Sequence, residues 1–167
     1  MDFKLLIDGR LVAGATAAPV INPATEQAIA ECPRASAAQL EAAIAAARAA
    51  FPGWSATPID ERREVLRAIA DRVETHADEL ARLLTLEQGK PLASAKGELG
   101  FVSQACRKHA AYEVPLEVMT NGAGHRVEVH RRPLGVVALI MPWNFPLALL
   151  AFKLPFALLT GNTVIVK

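Results

Sequence analysis

Cysteine is scarce: Cys32 and Cys106 are the only two in 167 residues. With no CxxC spacing they make neither a disulfide framework nor a paired redox or metal motif, so a reducing compartment is the default. An excess of one charge is also missing, since 18 Lys and Arg stand against 17 Asp and Glu, for a formal charge of +1. Phosphate backbones are bound by clustered basic excess, and a nucleic-acid partner is therefore not expected. Residues 134–166 are the most apolar stretch, but Asn144, Pro146, Lys153, Pro155 and Gly161 divide it. The pieces are shorter than the roughly 20 residues of a bilayer span, which argues against a membrane protein. Residues 1–13 alternate apolar and charged side chains without the basic and apolar regions of a signal peptide. A cytoplasmic protein is the expectation. Repeats, low-complexity tracts, flexible linkers and a GxGxxG motif are all missing as well.

What is present is 52% hydrophobic and 21% charged residues, the balance of a globular chain. A chain of this size buries roughly 70% of its unfolded surface, enough for one core. Asp8-Gly9 between apolar runs predicts a β-hairpin, and residues 28–32 predict a further strand ending before Pro33. Ser36 is a helix N-cap followed by Leu40, Ile44, Ala47 and Phe51 at helical spacing, with a stop predicted at Pro52-Gly53. Pro58 with Asp60-Glu61 starts a second helix, with Pro58 at its first position and a stripe of Val65, Leu66, Ile69 and Val73. A third helix from about Ala77 closes at Gly89, and a fourth runs from Pro91 to about Val114.

Residues 116–119 and 125–131 around Asn121-Gly122 predict a second hairpin, a ribbon that needs either the body of the chain or another subunit to be stable. From Leu134 to Met141 an apolar run predicts a strand covered on both faces. A loop at residues 142–146, an apolar helix at about 147–160 and a strand at 163–166 complete a parallel βαβ unit.

The loop Pro142-Trp143-Asn144-Phe145-Pro146 falls at the carboxyl end of a parallel strand and before a helix N-terminus, where ligands bind in open α/β sheets. An Asn there offers a neutral donor that stabilises negative charge on a carbonyl oxygen without titrating. The plainer alternative is a rigid turn with Trp143 in the core and Asn144 capping the helix.

This loop, with Lys153-Leu154 and Thr160-Gly161-Asn162-Thr163-Val164-Ile165-Val166-Lys167, resembles the NAD(P)-dependent aldehyde dehydrogenase superfamily. Earlier segments agree in the same order: Ile7-Asp8-Gly9, Asn22-Pro23-Ala24-Thr25, Ala46-Ala47-Arg48-Ala49-Ala50-Phe51 with Trp54, Leu86-Glu87-Gln88-Gly89-Lys90-Pro91, and Arg132-Pro133-Leu134-Gly135-Val136. The resemblance covers nearly the whole chain. It implies an α/β fold, the N-terminal part of a Rossmann-like nucleotide-binding domain: a β-rich start (1–35), helices (36–114), an oligomerisation-type β-ribbon (116–133) and the first βαβ unit (134–167).

The resemblance further implies oxidation of an aldehyde to a carboxylic acid with hydride transfer to NAD or NADP. Asn144 would be the side chain of the oxyanion hole. Ile140, Met141, Pro142 and Trp143 would line the nicotinamide-ribose side of the cofactor, with Met141 where Thr is the commoner residue. Lys167 would hydrogen-bond the adenosine ribose hydroxyls. Lys153 matches a lysine proposed in some families to transfer protons, and burial among Leu150, Phe152 and Leu154 would lower its pKa. A lysine snorkelling to a polar partner is the alternative. The partners implied are a small aldehyde and further copies of the chain, joined through the ribbon at 116–131.

His125 and His130 point to opposite faces of a strand and make no metal pair, and no metal site is expected. Cys106 falls inside a helix without a base beside it and is expected as a small buried or boundary thiol. By resemblance the family's nucleophilic cysteine, in a Gly-Gln-x-Cys-type segment, and its general-base glutamate lie downstream, and neither segment occurs in these residues. The chain alone is therefore expected to be inactive, to bind cofactor weakly, and to be the N-terminal part of a longer enzyme without its catalytic domain. The alternative function is a catalytically dead remnant that acts only by association with intact subunits.

Overall fold

Asp8 and Gly9 take φ angles of 52° and 70°, the two positive values that a two-residue hairpin turn requires. They fold β1 (Leu5–Ile7) antiparallel onto β2 (Arg10–Val12), with Ile7 opposite Arg10. The computed structural model describes residues 3–167, so Met1 and Asp2 of the β-rich start lie outside the described residues. A second antiparallel pair joins β3 (Thr16–Ile21) to β4 (Ala28–Arg34). The strand predicted to stop before Pro33 continues through it, with Pro33 opposite Ala17. In a two-stranded sheet every strand is an edge, and an edge tolerates a residue without an N–H.

A capping box starts α1 (Ala37–Ala56): Gln39 N–H donates to Ser36 Oγ at 3.2 Å, and Ser36 N–H donates to Gln39 Oε1 at 3.0 Å. The helix does not stop at Pro52-Gly53 as its sequence predicts. Pro52 forfeits one intrahelical bond, but Arg62 donates to the Trp54 and Ser55 carbonyls at 3.4 and 3.2 Å and the Thr57 hydroxyl donates to the Gly53 carbonyl at 3.0 Å. Partners outside the helix thus hold its last turn. Ile44, Ala47 and Phe51 are half-buried, whereas Leu40, expected on the same stripe, is exposed.

Pro58 is the N-cap of α2 (Ile59–Thr75), one position earlier than predicted, and the buried stripe centres on Leu66 and Ala70 while Val65 faces outward. α3 (Ala77–Gln88) ends as predicted at Gly89, whose φ of 77° is left-handed. A Cβ there would lie 2.8 Å from Pro23 Cγ, so both geometry and space require glycine. α4 (Leu92–Ala110) ends earlier than the expected Val114. Pro115 disfavours helical backbone at Val114, and Tyr112 turns its ring edge onto Phe156, 5.4 Å between centroids. This helix is the centre of the molecule, packed against α2, α3 and the helix of the βαβ unit. Its Ala95, Leu99, Val102, Ala105, Cys106 and Ala110 fill the three core clusters.

The ribbon of β5 (Glu117–Gly122) and β6 (His125–Val129) turns at Ala123-Gly124. The predicted turn pair, Asn121-Gly122, instead lies in β5 opposite Arg126 and His125. Gly124, at φ 95°, takes the positive angle that the turn needs, and an irregularity at Met119 sets the register. The βαβ unit is β7 (Val136–Leu139), α5 (Pro146–Leu159) and β8 (Thr163–Val166), with Val136 parallel to Thr163 and Leu139 to Val166. β7 is shorter than the apolar run 134–141, and Leu139 alone among its four residues is fully buried. Asn162 explains the late start: its Oδ1 accepts the Leu134 and Gly135 N–H groups at 2.7 and 3.1 Å, diverting them from the ladder, and Gly135 bends at φ 118°.

Candidate functional site

β7 and β8 end side by side, and their carboxyl edge is closed by two backbone bonds: Lys167 N–H donates to the Leu139 carbonyl at 2.8 Å, and Met141 N–H donates to the Lys167 carbonyl at 2.7 Å. The structure therefore brings Ile140, Met141 and the residues after them to Lys167, two segments that the sequence separates by the whole of α5. Lys167 is exposed, as are Ile140, Pro142, Trp143 and Asn144, while Met141 is half-buried. Together they form an open shelf rather than a closed cavity. A hollow lined by Tyr112, Glu113, Pro115 and Arg131 lies instead at the foot of the ribbon.

Three polar side chains, Gln88 and Lys90 from the α3–α4 junction and Glu98 from within α4, fasten the loop between β7 and α5. The Gln88 amide donates to the Trp143 carbonyl. Lys90 Nζ donates to the Asn144 carbonyl at 3.1 Å, lies 4.3 Å from the centre of the Phe145 ring, and pairs with Glu98 Oε2. Glu98 Oε1 then accepts the N–H groups of Leu147 and Ala148, both at 3.0 Å. These are free donors of the first turn of α5, whose own N-cap residue, Phe145, supplies no side-chain acceptor. A carboxylate here satisfies two orphan amides and sits favourably at the positive end of the helix. Its side chain is only 1% exposed, and that of Lys90 is 12% exposed.

Sequence reasoning did not single out Glu98, Lys90 or Gln88 as site residues. One signal was present: Glu98 sits among Ala95, Leu99 and Val102, on the apolar stripe of α4. A charge on a buried stripe needs partners, and finding them requires the fold.

The same geometry speaks against the plainer reading of the loop residues as core and cap. Asn144 does not cap α5, because Glu98 does, and among the described residues nothing takes up the Asn144 side-chain amide. Trp143 is not in the core, at 77% exposure. Asn144 thus presents a free donor beside a helix N-terminus, with its own carbonyl held by Lys90. Lys153 lies on the same side, but the burial expected of it is not found. It is exposed, and Nζ donates to the Ile140 carbonyl at 3.0 Å, the arrangement of a lysine reaching back to a polar partner.

Cys106 is buried among α2, α4 and α5, and desolvation pushes its thiol pKa up. A nucleophilic thiol needs the opposite. Elsewhere on α4, Phe101 packs on Phe152 at 5.1 Å between ring centroids, and Gln104 and Lys108 are exposed. His130 pairs with Glu128 at 2.8 Å. Among the described residues no cluster of His, Cys, Asp and Glu is arranged to hold a metal, and no helix is long and apolar enough to cross a membrane.

Comparison with known proteins places the chain in a family. Residues 12–167 match the aldehyde dehydrogenase family. A relative from Pseudomonas sp., described as "Probable aldehyde dehydrogenase", is 45% identical over 151 residues, which are 90% of this chain and 31% of that protein. The crystal structure of an NADP-dependent enzyme of Escherichia coli superposes with a TM-score of 0.94 at 37% identity, over 99% of this chain and 35% of that one. PnpE, a Pseudomonas sp. WBC-3 protein solved in complex with nicotinamide adenine dinucleotide, superposes at 0.93 with 37% identity, over all of this chain and 35% of its own. The chain thus spans about a third of the length of these relatives. With the family matched across nearly all of its length and the fold shared with solved members, the chain belongs to the aldehyde dehydrogenase family.

Proposed function

We propose that this chain supplies the oxyanion side and the cofactor-ribose side of the active site of an NAD(P)-dependent aldehyde dehydrogenase, which oxidises an aldehyde to a carboxylic acid. The observation that carries the reading is the free Asn144 amide at the carboxyl edge, on a loop whose carbonyls and following helix are tied down by Gln88, Lys90 and Glu98. A donor fixed in advance and aimed at an oxygen that becomes negative lowers the barrier without reorganising, an effect worth roughly 3 kcal/mol. Asn144 would donate to the aldehyde oxygen as a thiolate adds to the carbonyl carbon.

Cys106 is buried and desolvation pushes its thiol pKa up, which does not suit a nucleophile; the thiolate and the carboxylate that activates water would come from the downstream segments that the family resemblance implies. A nicotinamide dinucleotide suits the shelf chemically. Lys167 offers an exposed ammonium for ribose hydroxyls, and Ile140, Met141, Pro142 and Trp143 offer an apolar wall beside Asn144. When bound, that cofactor accepts the hydride. Lys153, exposed and hydrogen-bonded to the Ile140 carbonyl, would brace the end of this wall rather than carry a proton. The two free cysteines fit a cytoplasmic location.

The test is aldehyde-dependent reduction of NAD or NADP by the protein isolated from its native source, across aliphatic aldehydes, aromatic aldehydes and semialdehydes. Turnover that requires both an aldehyde and a nicotinamide cofactor is expected; its absence for every pair would overturn the reading.

The ribbon favours a second reading, alone or with the first: association through β5 and β6. Val118, Met119, Val127 and Val129 are all exposed there. Two strands with exposed apolar residues gain stability by covering them with another copy. If this chain acts only by association, it will co-elute with a full-length homologue in mixed oligomers; a chain that never does so is no such remnant.

A further inference from the structure

Glu98 and Lys90 raise a question that their stability contribution does not answer. A buried ion pair recovers little net free energy over an apolar pair of the same shape, because both charges must be desolvated. This pair is nevertheless directed at one target. Glu98 takes the two amides that follow the loop, Lys90 takes the Asn144 carbonyl and stands on the Phe145 ring, and the two side chains are joined to each other. The peptide plane after Asn144 and the first turn of α5 are therefore set by a single ionic unit anchored in α4.

We propose that Glu98 and Lys90 are positioning residues for Asn144: their ion pair, clamped between the Asn144 carbonyl and the Leu147 and Ala148 amides, sets the direction of the Asn144 side-chain donor. The proposal rests on the oxyanion reading of Asn144. Neither residue touches the reacting atoms. Removing the ammonium frees the Asn144 carbonyl and lets the peptide rotate, while Glu98 continues to cap α5. Replacing the carboxylate by an amide keeps an acceptor for the two N–H groups but removes the charge that orients Lys90.

Two readouts test this in the wild type and in Lys90→Met, Glu98→Gln and the double variant, with Lys96→Met as control because its ammonium pairs with Asp78 on the surface at 2.7 Å. The first is nuclear magnetic resonance of the chain, following the Asn144 side-chain amide signals and hydrogen exchange at Leu147 and Ala148. Lys90→Met should shift the Asn144 signals and leave exchange at Leu147 and Ala148 near wild type. Glu98→Gln should shift them and also speed that exchange by about tenfold, as the charge-assisted bonds from Leu147 and Ala148 become neutral ones. The second is the split between kcat and KM in the active enzyme: kcat should fall by about tenfold in each single variant, less than additively in the double, with the cofactor KM within about twofold. Asn144 signals that stay in place in both Lys90→Met and Glu98→Gln overturn the proposal. Signals that move in an enzyme whose turnover is insensitive to Asn144→Ala would leave the clamp standing and remove the oxyanion reading.

Discussion

Met141 donates its backbone N–H to the carbonyl of Lys167 at 2.7 Å, which joins the end of β7 to the end of β8 and places an exposed ammonium beside the loop that carries Asn144. The bond ties a proposed cofactor contact to a proposed oxyanion donor through one stretch of backbone, so the two can be separated only by their side chains.

Lys167→Ala should therefore weaken cofactor without touching the chemical step. Losing one or two charge-assisted bonds to ribose hydroxyls raises the cofactor Kd by roughly tenfold, with kcat at saturating cofactor close to wild type. Equilibrium titration with NAD and NADP measures it. An unchanged Kd would remove Lys167 from the site.

Gly89→Ala tests the α3–α4 junction that carries Gln88 and Lys90. Its left-handed backbone penalises a Cβ, and that Cβ would meet the Pro23 ring at 2.8 Å. Gly9 has a similar φ of 70° with open space around it. Gly9→Ala should cost about 1 kcal/mol for backbone strain alone, and Gly89→Ala about 2–3 kcal/mol with the added clash. Urea denaturation of the two variants gives the difference, and equal midpoints would show that the Pro23 contact is negligible.

The hydrogen bond from Arg107 holds the Glu74 carboxyl below its ordinary range. A carboxylate with a depressed folded pKa contributes stability above its unfolded pKa of about 4.3 and loses it as pH falls through the lower folded value. The melting temperature of the wild type should accordingly fall more than that of Glu74→Gln between about pH 6 and about pH 3. The pair is exposed, so the difference should be small at low salt and vanish at high salt. Parallel curves at low salt would contradict it.

Features decided within a few residues were legible in the sequence: the Asp8-Gly9 turn, the Ser36 cap, the Gly89 stop and the parallel βαβ pattern. Those decided by distant partners were not. α1 passes Pro52 because Arg62 holds its last carbonyls, β7 starts late because Asn162 takes two of its amides, and Gly124 takes the turn from Asn121-Gly122. The site divides in the same way. Its loop stands out as a contiguous motif, whereas its supports, Gln88, Lys90 and Glu98, are separated from their partners by 49 to 55 positions in the chain.

The proposed reaction depends above all on the Asn144 amide stabilising an oxyanion. Steady-state turnover of the active enzyme with Asn144→Ala, measured together with cofactor Kd, tests it most directly. With the donor gone, kcat should fall by about 100-fold or more, with cofactor Kd within about twofold of wild type. A collapse of cofactor binding with unchanged turnover would contradict it.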